Sequence, residues 1–498
     1  MVKEIIVKIQ NKEELRQSLS SLRAILKEEE NVKTAKELLG DAGAVAELLK
    51  EEDPKVRKNA AALLGDLGAD NQAEALYQAY VKEEKRFIRS VYLKALGKMD
   101  VSPYLSTLKE QYDFLAQYTP LKEEKKHVSE ELSALEQILR TEDKGHTFTG
   151  WRERLLVVLT TNTSYREVTE KQLYALKKGS HPLGIKAVVD NLSDVVKIRT
   201  FRELLFPISV KEEFTADVSP GEAGKMLASS NVLNLLEKCH REPGPFYFRL
   251  EIRNGMDLKE RSRYALKAAR AMEEGSGRQL INSTDDYEFE VRILAGKDKK
   301  MRAFLKMNTI PMERFNYRLH TISSSIHPST AALLMELASP YLKKNAQILD
   351  PCCGVGTMLL ERCKKVPARE IYGIDIFGDA IWGARENADL AKVPVHFIHR
   401  DYFDFRHEYL FDEIIANLPL RGKRTKEEQD QFYRKFFDKA QENLTSGGYM
   451  ILYCNEGAFV KKQLRLHPMF RLEKEYVMGQ KGDFALYIIC RRRKEIDF

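Results

Sequence analysis

The chain has 498 residues, 43% of them hydrophobic and 31% charged, with a formal net charge of +7. This composition excludes a disordered chain, and the length suits about three domains. The opening residues lack the apolar core of a secretory signal, and no apolar run reaches the roughly 18 residues of a membrane-spanning helix. Six sparse cysteines without a C-x-x-C pair exclude a disulfide scaffold or zinc ribbon. We therefore expect a cytoplasmic protein without membrane contact or bound metal.

Residues 1–145 are predicted to be helical, because strong helix formers dominate and apolar residues recur every three or four positions. Val56–Arg57 and Leu64–Gly65 recur 32 residues later as Ile88–Arg89 and Leu96–Gly97. Paired helices with such a period stack into solenoids, and this region resembles HEAT-type repeats. A plain helical bundle is the alternative. A partner protein or a second RNA contact would fit this region.

Residues 146–315 alternate strand and helix patterns, which predicts an α+β domain with an antiparallel sheet. A helix is expected over about 258–274. The predicted strands are 155–159, 246–252, 287–293 and 303–307.

From about residue 330 the pattern changes to regular strand–helix alternation, which predicts a doubly wound α/β sheet. A helix is expected over 330–342. Such sheets bind ligands beyond the carboxyl ends of their strands. The predicted strands are 347–349, 371–374, 395–398, 413–416, 449–453 and 485–489.

A glycine turn, Asp350-Pro-Cys-Cys-Gly-Val-Gly-Thr357, follows the first of these strands directly. Gly354 and Gly356 allow a tight turn and a close approach of the backbone to a ligand. A dinucleotide fingerprint would need a third glycine where Leu359 stands, so a pyrophosphate is not the expected ligand.

Acidic residues follow the next two strands of the predicted sheet. Asp375 ends the second strand, and an acid in this position of a doubly wound fold accepts hydrogen bonds from ribose hydroxyls. Asp401 follows the third strand and could accept an adenine amino group, with Tyr402 packing against the ring; Asp404 is the alternative acid.

The fourth strand ends in Asn417-Leu418-Pro419-Leu420. An exocyclic amine is a poor nucleophile, because its lone pair is delocalised into the ring. Asn417 Oδ1 and the Leu418 carbonyl could both accept its hydrogens and aim the lone pair at a methyl donor, while Pro419 stiffens the turn. Positioning would then replace a strong general base.

These motifs give the C-terminal part a specific resemblance. Residues 316–498 resemble class I S-adenosylmethionine-dependent methyltransferases, and more narrowly the THUMP-linked RNA methyltransferases. Matching residues are Phe315-Asn-Tyr-Arg318, Ser323-Ser-Ser-Ile-His-Pro328 and the glycine turn. About 150–310 resembles, more faintly, a THUMP domain with a ferredoxin-like segment.

The resemblance implies three domains: a HEAT-like region at 1–145, a THUMP-like RNA-binding domain at 146–315 and a Rossmann-like methyltransferase domain at 316–498. It also implies S-adenosylmethionine as cofactor and guanosine N2 of tRNA or rRNA as the methylated amine. The catalytic motif is 417–420. The implied cofactor-binding residues are Asp350, Pro351, Gly354, Gly356, Thr357, Asp375, Ile376, Asp401, Tyr402 and Asn417.

The chain departs from the family in the catalytic motif. Leu418 replaces a proline, and Leu420 replaces an aromatic residue that would stack on the target base. A different amine (DNA adenine or a protein glutamine) or a catalytically weak RNA-binding scaffold are therefore the alternatives. Pyrimidine C5 methylation is not expected, because no cysteine stands in this motif, and Cys352 and Cys353 are predicted to be packed small residues.

Candidate RNA contacts are basic residues beside the catalytic motif and in the middle region. The basic excess of the chain lies after residue 145, so a polyanion would meet these parts first. Arg318, in the linker before the methyltransferase domain, could bind phosphate or fold the linker over the site. The other candidates are Arg421, Lys423 and Arg424, and a second cluster of Lys297, Lys299 and Lys300.

Overall fold

The structure, a computed structural model, describes residues 2–121, 123–140, 145–210, 214–215, 217–253, 255–296, 298, 300–479 and 484–493. The chain forms two compact units, Met1–Gly145 and His146–Phe498. Within the described residues, no helix has the length and apolar character needed to span a membrane.

The first unit is helical, in agreement with the periodicity of its sequence. Helices α2, α5, α7 and α9 pack side by side in that order over one apolar core. Asp53 caps α5 by accepting a hydrogen bond from Lys55 N at 2.9 Å, with Pro54 as the first helical residue. The helices are α1 (Val2–Gln10), α2 (Leu15–Ile25), α3 (Glu29–Leu39), α4 (Gly43–Glu47), α5 (Pro54–Leu67), α6 (Ala73–Lys82), α7 (Arg86–Leu96), α8 (Leu105–Gln117) and α9 (Lys125–Arg140).

The 32-residue sequence repeat is also a repeat of contacts. Arg57 on α5 binds the Glu83 carboxylate through two hydrogen bonds of 2.9 Å and the Glu51 carbonyl at 2.9 Å. Arg89 on α7 binds the Glu131 carboxylate at 2.7 Å and the Glu83 carbonyl at 3.1 Å. Each arginine thus ties its helix to a segment earlier in the chain and to one later in the chain.

The second unit begins with a sheet, here named the middle sheet, whose described strands run in the order β2-β3-β1-β4-β8-β7-β5-β6. Helices α12 and α14 pack together over its main core. Its strands are β1 (Leu155–Thr160), β2 (Lys177–His181), β3 (Gly184–Val189), β4 (Leu204–Ile208), β5 (Phe246–Arg253), β6 (Leu280–Asn282), β7 (Phe289–Ala295) and β8 (Met301–Met307). Its helices are α10 (Arg166–Gln172), α11 (Leu192–Val195), α12 (Pro220–Ala228), α13 (Val232–Cys239) and α14 (Leu258–Gly275).

The expectation of an antiparallel middle sheet is wrong in part. Strand β5 runs parallel to both β6 and β7, whereas the other pairs in this sheet are antiparallel. The reason is α14, which follows β5 and returns the chain across the sheet, so the next strand starts at the same edge. The sheet is therefore mixed.

The second sheet of this unit, named the C-terminal sheet, has described strands in the order β11-β10-β9-β12-β13-β15-β14. Strands β9 to β13 are parallel, and β15 is antiparallel to both of its neighbours. Its strands are β9 (Ala346–Asp350), β10 (Ala368–Asp375), β11 (His396–His399), β12 (Phe411–Asn417), β13 (Leu444–Cys454), β14 (Phe470–Val477) and β15 (Ala485–Arg491). Its helices are α15 (Pro328–Ala338), α16 (Thr357–Lys365), α17 (Gly378–Ala391), α18 (Lys426–Asn443) and α19 (Gly457–Leu466).

Apolar clusters cover both faces of the C-terminal sheet, as the doubly wound pattern predicts. The strand order reverses between β9 and β12, because β10 and β11 lie on one side of β9 and the later strands on the other. A crevice forms at such a switch point beyond the carboxyl ends of the strands. Asp350, Asp375 and Asn417 are the final residues of β9, β10 and β12.

The two sheets of this unit are joined by buried polar contacts. Arg199 of the middle region donates to both carboxylate oxygens of Glu361, at 2.9 and 2.6 Å, and Tyr317 donates to the same carboxylate at 2.5 Å. At a second point, Asn162 donates to the Met478 carbonyl at 2.6 Å. Because Glu361 is 2% exposed, breaking its contacts would leave a buried charge unpaired.

Candidate active site

A cavity of about 830 Å³ lies at the switch point of the C-terminal sheet. Its wall brings together Asp350, Asp375, Asp401 and Asn417, which follow four different strands. Pro351, Gly354, Thr357, Ile376 and Tyr402 also line it, together with Leu418, Pro419, Leu420 and Arg424. Of the cofactor residues expected from the sequence, Gly356 alone is not part of this wall.

The glycine turn has the conformation that its glycines permit. Gly354 and Gly356 have φ of +52° and +84°, a region that favours glycine. A Cβ on Gly356 would lie 3.2 Å from the Phe397 ring, so this glycine also allows close packing behind the turn. The turn ends at Thr357, the first residue of α16, whose buried Oγ1 has no hydrogen-bond partner. An unpartnered buried hydroxyl on the cavity wall suits a polar ligand.

Two carboxylates beside this turn lack a cationic partner among the described residues. Asp350 is 1% exposed and accepts a hydrogen bond from Cys352 N at 3.1 Å. Asp375 accepts hydrogen bonds from Gly354 N at 2.8 Å and Phe377 N at 3.0 Å. Burial and the neighbouring Asp375 charge raise the pKa of Asp350 well above its ordinary value. A cation or hydroxyl donor in the cavity would relieve this cost.

The third acid, Asp401, is held differently from Asp350. Its carboxylate accepts a hydrogen bond from Phe403 N at 2.9 Å and caps a short 3₁₀ turn, Tyr402–Asp404. The Tyr402 ring is buried on the cavity wall with Phe436 at 5.8 Å. Ile376 remains 56% exposed at the cavity. The adenine-binding roles of these residues remain predictions.

The predicted catalytic motif, residues 417–420, presents an open acceptor to the cavity. Asn417 Nδ2 donates to the Ser324 carbonyl at 3.5 Å, and among the described residues no donor contacts Asn417 Oδ1. Leu418 N donates to the Tyr453 carbonyl at 2.9 Å, and the Leu418 side chain is buried, so the backbone of the motif is fixed. Leu420 is 55% exposed at the mouth of the cavity.

The basic residues beside the motif divide by environment. Arg424 turns back over the site, donating to the Leu420 carbonyl at 3.1 Å with its guanidinium 4.8 Å from the Phe432 ring. Arg421 lies 3.9 Å from Glu456, and Lys423 is exposed. Only Arg424 of the three therefore forms part of the cavity wall among the described residues.

Arg318 is held within the protein. It donates to the Ile326 carbonyl at 3.4 Å, its Nε is buried without a partner, and burial lowers its pKa. This geometry suits a linker folded over the site. In the other basic cluster, Lys297 and Lys299 lie outside the described residues, and Lys300 pairs with Thr215 in an isolated β-bridge.

Several cavity residues were missed by sequence reasoning. Phe432 and Phe436 come from α18, and Tyr453 and Phe484 from the end of β13 and the residue before β15. They form no local motif. His327 also lines the cavity, and burial lowers its pKa to about 4.

The cysteines on the turn agree with packed small residues. Cys353 is buried, and the Cys352 thiol contacts the Asn417 carbonyl at 3.6 Å. Burial raises the pKa of both thiols, so neither is a ready nucleophile. Among the described residues, no cluster of three or more His, Cys, Asp or Glu side chains could hold a metal ion.

The cavity lies in a segment of the chain that matches a known protein family. Residues 323–487, a third of the chain, match the family described as "Methyltransferase small domain". This segment contains the glycine turn, the strand-end acids and the catalytic motif. The cavity therefore lies in a methyltransferase-type domain.

Two curated relatives differ in the amine that their names state. The tRNA (guanine(10)-N2)-dimethyltransferase of Methanothermobacter thermautotrophicus is 28% identical over 181 residues, 35% of this chain and 52% of that protein. The release factor glutamine methyltransferase of Flavobacterium psychrophilum is 28% identical over 156 residues, 26% of this chain and 54% of that protein. The chain thus spans about half the length of each relative.

A solved structure shows the same fold. The possible methylase from Clostridium difficile 630 is 17% identical, and the match covers 69% of this chain and 99% of that protein with a TM-score of 0.50. A match of this length exceeds the methyltransferase segment, so the fold that the two proteins share extends beyond residues 323–487.

Proposed function

We propose that this protein is an S-adenosylmethionine-dependent RNA methyltransferase that methylates the exocyclic N2 amine of guanosine in tRNA or rRNA. The observation that carries the proposal is the open Oδ1 of Asn417 at the end of β12, in one cavity with the glycine turn and the buried acids. The guanine-N2 relative supports the choice of amine.

The chemistry of the cavity fits the proposed cofactor. S-adenosylmethionine is cationic at its ammonium and sulfonium groups and supplies an electrophilic methyl group when bound. Asp350, buried without a cationic partner among the described residues, would receive the ammonium group or its hydrogens. Asp375 keeps free lone pairs for ribose hydroxyls, and Thr357 Oγ1 offers an unpartnered hydroxyl.

Asn417 and Leu418 would act by positioning. Asn417 Oδ1 and the Leu418 carbonyl accept the two hydrogens of the amine and turn its lone pair toward the methyl group. S-adenosylmethionine, when bound, would supply the methyl group and leave as the neutral thioether, and the methylated amine would release one proton to water. The fixed backbone at Leu418 and the ring of Pro419 keep these acceptors in place.

The remaining parts of the chain are assigned by the same proposal. The middle region serves as the THUMP-like RNA-binding domain, with Lys300 among its basic contacts. Arg421 and Lys423, which follow the catalytic motif, are further RNA contacts. The first unit is a HEAT-like surface for a protein partner, supported by its repeated arginine contacts. All six cysteines are free, which supports a reducing, cytoplasmic location.

A protein glutamine amine is the second candidate substrate. The same Asn417 geometry accepts any amine with two hydrogens, and one matched relative is a glutamine methyltransferase by name. RNA is favoured because the basic excess of the chain lies in the two regions after residue 145.

The test supplies the purified full chain with S-adenosylmethionine labelled in its methyl group and, separately, unmodified tRNA, rRNA, DNA and cell protein. Mass spectrometry of nucleosides and peptides identifies the labelled product. Asn417→Ala should lower turnover by about 100-fold or more while keeping cofactor affinity, because it removes positioning alone. Asp375→Ala should weaken cofactor binding itself.

Labelled N2-methylguanosine in one RNA pool, lost in Asn417→Ala, is the expected result. Label in DNA or protein alone would refute the RNA assignment and retain the domain assignment. Cofactor binding without any labelled product would favour a scaffold role for the chain.

A further inference from the structure

Because Leu420 stands in the catalytic motif where an aromatic residue is expected, the motif itself offers no ring to the target base. The same cavity, however, contains an aromatic residue from another part of the chain. Phe484, the residue before β15, lines the same cavity as Asn417 and Leu420. Within the proposed function, we infer that Phe484 is the stacking platform for the target base.

Strand register places Phe484 at the reacting edge of the sheet. Asn417 at the end of β12 pairs with Tyr453 on β13, and Tyr453 pairs with Leu486 on β15. Because β15 is antiparallel to β13, its first residues lie at the same sheet edge as the last residues of β12. Phe484 therefore lies beyond that edge, two strands away from Asn417, and both residues line the same cavity.

The Phe484 ring is supported from behind. Its centroid lies 5.1 Å from that of Tyr453 with an interplanar angle of 26°, a stacked arrangement. The Tyr453 carbonyl accepts the hydrogen bond of Leu418 N at 2.9 Å. The backbone of the catalytic motif and the support of the Phe484 ring are thus a single fixed unit.

The backbone of Phe484 is anchored on its other side. Its carbonyl accepts a hydrogen bond from Met478 N at 2.8 Å, and the Met478 carbonyl accepts one from Asn162 of the middle region at 2.6 Å. Met478 is buried. Tyr453 and Met478 thus fix the Phe484 ring and its backbone before any base binds. The entropic cost of ordering this side chain on binding is therefore small.

Leu420 cannot serve in this role, although it lies at the mouth of the cavity. An aliphatic side chain offers apolar contact without the π-face that a base uses for stacking. Its 55% exposure and the use of its carbonyl by Arg424 also place it at the rim. The aromatic function lost at 420 is supplied from a distant part of the sequence.

The test compares Phe484→Leu, which keeps an apolar side chain and removes the ring, with Phe484→Trp, which keeps a ring. Each full-length variant is assayed on the RNA pool that the wild type labels. Phe484→Leu should lower kcat/KM for RNA by about 10- to 100-fold, the range that loss of base stacking produces, while Phe484→Trp stays within about threefold of wild type. The Kd for S-adenosylmethionine should change by less than about twofold in both.

A double variant tests whether an aromatic residue at position 420 can replace Phe484. Leu420→Phe introduced into Phe484→Leu should recover part of the lost kcat/KM, because it restores an aromatic face to the same cavity. Thermal denaturation of every variant confirms folding.

A wild-type kcat/KM in Phe484→Leu, or equal losses of kcat/KM in Phe484→Leu and Phe484→Trp, would refute base stacking on Phe484. Either result would leave the proposed function intact. A wild-type chain that labels no RNA rejects the proposed function and, with it, the base platform.

Discussion

The two ends of the cavity are built in different ways. The proposed cofactor end comes from two consecutive strand–turn units, β9 with its glycine turn and β10 with Asp375, which contact each other through Gly354 N. The proposed substrate end combines Asn417, Arg424 and Phe484 from separate strands and loops. A local motif can define a cofactor site, whereas a substrate site depends on how distant segments pair.

The largest expected effect of a change at the cofactor end comes from Asp350→Asn. It should weaken S-adenosylmethionine binding by about 100-fold, since it removes the buried charge opposite a cationic ligand. Titration calorimetry on the full chain measures this affinity.

Asp350→Asn should leave the ligand-free protein at least as stable as wild type at neutral pH. Burial raises the pKa of Asp350 in the folded state, so its ionisation costs stability as pH rises through that raised pKa, and asparagine removes the cost. A variant that unfolds at lower temperature, or binds cofactor like wild type, would contradict the assignment.

A smaller effect is expected at the start of α16. Thr357→Val should weaken cofactor binding by about tenfold, because it removes a hydroxyl proposed to bind the ligand directly. Thr357→Ser keeps that hydroxyl and serves as the matched control. Equal affinities for the two variants would show that Oγ1 has no ligand role.

A final expected effect concerns the pH dependence of stability at His327. Burial lowers the pKa of His327 to about 4 from its ordinary 6.5, so the folded state binds fewer protons than the unfolded state between these values. His327 should therefore make stability fall as pH drops from about 6.5 to about 4, opposite in sign to Asp350. Thermal denaturation across this range should show a shallower decline for His327→Asn, and an unchanged slope would refute it.

The sequence predicted those elements whose apolar residues follow a regular pattern. Strands β9, β10, β12 and β15 were expected at nearly their observed positions, because their residues are buried on both faces. β2 was missed, since its residues are polar and mostly exposed at a sheet edge. The parallel pairing of β5 was also missed, because no local pattern shows where α14 returns the chain.

The residues of the candidate site were likewise predicted where they follow a local pattern and missed where they do not. The spacing of Asp350, Gly354 and Asp375 was sufficient to bring them together in one expected site, and they line one cavity. Phe484 gave no signal, because its position in the same cavity as Asn417 depends on the pairing of β13 with β15. A sequence motif predicts the residues that a single strand and its turn bring to a site. It does not predict contacts between residues of strands that are distant in the sequence.

The contacts of Arg199 with Glu361 and of Asn162 with Met478 are among those that join the middle and C-terminal sheets into one body. An RNA held on the middle region would then meet the cavity at a constant separation from its anchor. Under the proposed function, the enzyme would select its nucleotide by the length of folded RNA between the segment bound to the middle region and the cavity. Loosening either attachment should broaden the set of modified positions before it lowers the rate of methyl transfer.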